Sequence, residues 1–113
     1  MPIIVCEGVM DVWGWTRAGF RNAVATFGKK ISAAQVELLY SLNPSTVYIA
    51  WDGDAEREKF AFAERYGHLF DIRVVRMKRG VDADEMERAE MAELLASAVK
   101  YSWEARVASQ LAL

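Results

Sequence analysis

Three points along the chain gather carboxylates beside a glycine or alanine just after an apolar run. The run Thr46-Val47-Tyr48-Ile49-Ala50-Trp51 ends in Asp52-Gly53-Asp54, Ile3-Ile4-Val5-Cys6 ends in Glu7-Gly8, and Asp82-Ala83-Asp84-Glu85 follows a third run by a short loop. One residue between two aspartates lets a turn aim both at a single point, and Gly53, like Gly8, lets backbone come close. Gathered carboxylates repel each other, which raises their proton affinity and costs stability unless a cation compensates. Hard oxygen ligands without histidine or thiolate select Mg2+ or Mn2+ over zinc. Magnesium binds through one or two carboxylates plus substrate phosphates, so a phosphate-bearing substrate is implied. Glu7, Asp52 and Asp54 are the expected metal ligands and catalytic groups, with Asp82 and Asp84 as candidates for a second metal. Asp11, one turn past Glu7, is expected to hydrogen-bond around the site rather than ligate. A plainer account of Asp54 alone is a helix N-cap, which aspartate often fills.

Those carboxylates need strands to carry them. The run before Asp52 reads as a strand buried on both faces, as in a parallel sheet, whose carboxyl edge is where open α/β folds place ligands. Strands are expected at 3–6, 22–26, 46–51 and 71–77, and helices at 9–18, from the Ser32/Gln35 capping box to about 42, and from Asp54 to about 66. Inward positions are expected at Val9, Val12 and Trp13 of the first helix, and at Phe60, Ala61 and Ala63 of the third. Ala92, Leu95, Val99, Trp103, Val107 and Leu111 recur at helical spacing, which predicts one long amphipathic helix over about 84–112. Strand alternating with helix four times gives a four-stranded parallel sheet with helices on both faces, an α/β Rossmann-like architecture in three layers. Were the strands ending at Glu7 and Asp52 neighbours, the crevice between them would be the topological switch point.

Basic residues offer phosphate contacts. Arg57 and Lys59 lie on the helix after Asp54, and Arg73, Arg76, Lys78 and Arg79 make the main local basic run. The run suits a nucleic-acid backbone, or simply an edge strand charged against aggregation. A net charge of −2 over 113 residues gives no global pull toward a polyanion, so such a partner must be held locally. With 53% apolar residues the chain can bury the core of a single domain, 1–113. No apolar run is long enough to span a bilayer, the N-terminus lacks the basic start of a leader, and the single Cys6 fits a reducing, cytoplasmic setting.

In this order the motifs resemble the Toprim domain, shared by DnaG-type bacterial and phage primases, type IA and II topoisomerases, OLD-family nucleases and the ribosomal-RNA maturase. The primase pattern is similar to Glu7-Gly8-Val9-Met10-Asp11, Asn22-Ala23-Val24-Ala25-Thr26-Phe27-Gly28-Lys29, Asp52-Gly53-Asp54 and Asp82-Ala83-Asp84-Glu85. The resemblance runs from Ile3 to about Glu87 and departs at Lys29, where primases carry threonine, and at Glu56-Arg57, where they carry a small pair. It implies a Toprim fold, a Mg2+-dependent nucleotidyl transfer in replication, and nucleic acid, nucleotide and other replication or processing proteins as partners. A small nuclease of the maturase or OLD type, or a non-catalytic metal- or nucleotide-binding module, are the alternatives it leaves. The zinc module and basic N-terminal half of a primase core have no counterpart in this sequence, so a fragment or a stand-alone Toprim protein is expected.

Overall fold

A computed structural model describes residues 1–53, 55–78, 81 and 83–101. The chain runs β1 (Ile3–Cys6), α1 (Val9–Arg17), β2 (Ala23–Ala25), α2 (Ala33–Ser41), β3 (Val47–Ile49), α3 (Glu56–Tyr66), β4 (Ile72–Val74), α4 (Arg88–Ala96) and β5 (Val99–Lys100). A short 3-10 turn, Ala83–Glu85, precedes α4. The strands form one sheet in the order β2-β1-β3-β4-β5. The first four are parallel, with Val5 opposite both Val24 and Ile49, and Ile49 opposite Val74.

Alternation along each strand sends side chains to two separate cores. Ile3, Val5, Val47, Ile49 and Ile72 pack with Val36 and Leu39 of α2 and Phe62 and Ala63 of α3. Ile4 and Cys6 face the other way, onto Trp15 of α1 and Met91 of α4. Both faces are covered, which is why β1 and β3 read as continuous apolar runs. The capping box at α2 forms as the sequence predicts: Ser32 Oγ accepts from the Gln35 amide at 3.1 Å, and the Ser32 amide donates back to Gln35 Oε1 at 2.8 Å.

Several expectations are corrected. In α1 Gly14 and Trp15 are buried and Val12 packs against the second core as expected, while Trp13 is 69% exposed and Val9 is also exposed. Gly14 is the cause, since a Cβ there would lie 2.6 Å from backbone atoms of Ala83 and Asp84. The helix presses its bare backbone onto the 3-10 turn, and that contact sets which way it faces. In α3 Ala61 is exposed, and Lys59, Phe60, Phe62 and Ala63 are buried. The continuous C-terminal helix is replaced by the 3-10 turn and α4, followed by β5, which pairs antiparallel with β4 through Val74–Val99 and Arg73–Lys100. Helical spacing carries on through Val99 in sequence, but the chain turns at Ser97, and Met91 rather than Ala92 is the buried residue of α4. Trp103, Val107 and Leu111 lie outside the described residues. Among the described residues the sheet therefore has five strands, one antiparallel.

Candidate metal and nucleotide site

β1 and β3 are neighbours, with β2 and β4 on their outer sides, so the sheet changes winding direction between them. Glu7 leaves the end of β1 and Asp52 follows shortly after β3, both at the carboxyl edge. Their carboxyls are within hydrogen-bonding reach of each other. Glu7 holds a proton more tightly than an ordinary glutamate, first because it is partly buried. The charge of Asp52 and the hydrogen bond to it add to the rise, Lys29 pulls the other way, and Asp11 adds a smaller push upward. Two oxygen donors from separate strands, repelling each other when both are ionised, are the donor set a hard divalent cation neutralises.

The surrounding backbone is tied down. Asp11 Oδ2 accepts from the Gly8 amide at 3.1 Å, holding the turn between Glu7 and α1. The Thr26 hydroxyl, just past β2, lies 3.1 Å from the Cys6 carbonyl and 2.6 Å from the Gly28 carbonyl, its one proton serving one of them at a time. The same hydroxyl accepts from Trp51 Nε1 at 3.2 Å. Trp51 is fully buried, so its indole packs and anchors and leaves no face for a base. The Phe27 amide donates to the Glu7 carbonyl at 2.7 Å. Segment 26–29 is thereby fastened along the same rim as Glu7 and Asp52. The sequence marks 22–26 as a strand but not Thr26 as an anchor of the site; the available signal was a threonine placed where a parallel neighbour ends.

Asp54, Asp82 and Arg79, expected in the site, lie outside the described residues. Among the described residues no three His, Cys, Asp or Glu side chains gather closely enough to hold a metal. Asp84 sits by Gly14 at the α1 contact, where its carbonyl accepts from Arg17. It is absent from the charges that act on Glu7. Arg57, Arg76 and Lys78 are exposed. Lys59 is not at the surface: it is 0% exposed, and its ammonium donates to the Val75 carbonyl at 3.1 Å and to Glu56 Oε1 at 3.2 Å. A buried ammonium must be hydrogen-bonded, and here it ties the first turn of α3 to the end of β4. Arg73 lies on β4 beside Asp71, 3.6 Å away, toward the amino edge of the sheet.

A doubly covered parallel sheet with acids at its switch point defines the class, and residues 2–76 match the Toprim domain; the chain belongs to that family. The relatives are DNA primases. That of Pseudomonas putida is 36% identical over 94 residues, covering 78% of this chain and 14% of that protein. That of Synechococcus elongatus is 36% identical over 106 residues, covering 82% of this chain and 15% of that protein. The solved zinc-binding and RNA polymerase domains of the Aquifex aeolicus primase superpose with a TM-score of 0.73 at 27% identity, covering 88% of this chain and 26% of that one. The chain thus spans a small part of each relative. Among the described residues no helix is long and apolar enough to cross a membrane.

Proposed function

We propose that the chain is a Mg2+-dependent Toprim domain of primase type, acting in nucleotidyl transfer to form phosphodiester bonds during nucleic-acid replication or processing in the cytoplasm. The observation that most supports this reading is the meeting of Glu7 and Asp52 across the β1–β3 boundary. With Asp54 they would hold Mg2+ or Mn2+, and Asp82 and Asp84 would serve a second ion. When bound, the metal neutralises the carboxylates and polarises the phosphates of a nucleotide. Glu7, with its raised proton affinity, suits the role of general base for the 3′ hydroxyl. Arg57, Arg76, Lys78 and Arg79 would follow the nucleic-acid backbone, each contact weakening with salt. Lys59, which the notion of a surface phosphate contact requires in water, holds α3 instead.

Labelled-nucleotide incorporation on a single-stranded template, run beside a cleavage assay in Mn2+, tests this. Incorporation abolished by Asp52→Asn supports it; cleavage without incorporation replaces it with hydrolysis. A second reading is favoured by the small share of each primase that the chain matches, 14% of the P. putida protein. In that reading the chain supplies the metal and nucleotide site to a partner, and incorporation occurs only when the partner chain is added.

A further inference from the structure

Phe27 combines two features. The residue is 79% exposed, and its backbone has φ = 59°, in the left-handed region that residues other than glycine avoid. Neither is needed for packing, because the ring lies outside both cores. The residue is nevertheless held firmly. Its amide donates to the Glu7 carbonyl at 2.7 Å, and Thr26 before it is bonded to Cys6, Gly28 and Trp51. A backbone kept in an unfavourable conformation by its surroundings, displaying an unburied aromatic, is the pattern of a binding element. Two residues on, Lys29 is close enough for its charge to act on Glu7.

We propose that Phe27 is a stacking platform for a nucleobase of single-stranded nucleic acid whose phosphate is directed to Glu7 and Asp52. Every base has a flat π-face, so an exposed ring at the rim of a phosphate site binds single strands with little regard to sequence. Lys29, whose charge acts on Glu7, offsets the approach of a polyanion to the carboxylates. The proposal rests on the nucleic-acid reading above and adds a subsite to it.

The test compares a fluorescent oligothymidylate with an abasic oligomer of equal length, binding measured by anisotropy in Mg2+. The wild-type chain should prefer the base-bearing strand by roughly fivefold to a hundredfold. Phe27→Ala should bind both strands alike, and Phe27→Trp should keep the preference. Phe27→Gly, which suits the backbone, should melt no lower than wild type and yet lose the preference. Equal preference in wild type and Phe27→Ala overturns the stacking proposal alone. Failure of wild type to bind either strand overturns both it and the reading beneath it. Separately, Mn2+ binding by proton relaxation, lost in Asp52→Asn and kept in Phe27→Ala, reports on the carboxylates independently of the ring.

Discussion

The Glu7 and Asp52 carboxyls, offered by neighbouring parallel strands, stand within hydrogen-bonding reach of each other at the carboxyl edge of the sheet. Glu7 is held above its ordinary value of 4.5 in the folded protein. The folded state therefore binds this proton more tightly than the unfolded chain does, and the associated stability is full below 4.5 and is lost as pH rises through the folded value. In EDTA the melting temperature of wild type should fall with rising pH across that window, and Asp52→Asn should flatten the fall. Millimolar Mg2+ should restore wild type at pH 7 and leave the variant unmoved. A metal-free variant with the same pH slope as wild type would show that the pair is not the source. Thermal melts followed by circular dichroism between pH 4 and 8 decide it.

Lys59 gives a second test, because burial and phosphate contact make different demands. Lys59→Met keeps the stem but removes the donor to Val75 and Glu56. The Val75 carbonyl would keep only its bond from the Met77 amide at 3.2 Å, and losing the ammonium should cost about 0.5–1.5 kcal/mol. Urea unfolding should show that loss while the salt dependence of oligonucleotide binding stays as in wild type. Unchanged stability with a shallower salt slope would return Lys59 to the surface.

Gly14→Ala should destabilise by about 1–3 kcal/mol through overpacking. The added Cβ would meet backbone of Ala83 and Asp84 at 2.6 Å, and backbone cannot swing aside as a side chain does. Chemical denaturation measures the loss; a variant as stable as wild type would mean that the contact of α1 with the 3-10 turn yields to a methyl group.

Cys6 is fully buried, and burial, helped by the charge of Asp11, drives its thiol far above the ordinary range. Only the thiolate reacts readily. Native protein at pH 8 should react with Ellman's reagent far more slowly than protein in 6 M guanidinium, the native rate tracking unfolding. A fast native reaction would place the thiol in water.

The readable parts of the sequence share a cause. Ile3–Cys6 and Val47–Ile49 announce themselves because a strand buried on both faces must be apolar throughout, and the acid after each stands out against that background. Ser32 and Gln35 were legible because a capping box is local. Trp13 and Trp15 show where local pattern fails: both have the size of core residues, and only the contact of Gly14 with a turn far along the chain decides between them. Lys59 misleads similarly, since charge suggests water and its bond is to the Val75 carbonyl, sixteen residues on and just past β4. β5 is two residues long, Val99–Lys100, too brief for any periodicity to register.

The two flanks of the sheet end differently. On one side β5 runs against its neighbours and closes the ladder of β4. On the other, among the described residues, Ala23–Ala25 leaves its outer peptide groups without a strand beside them. An open border of only three residues is a poor template for runaway stacking of copies. Among the described residues the acids at the carboxyl edge therefore stay uncovered while the β2 border is too short to recruit fibrils.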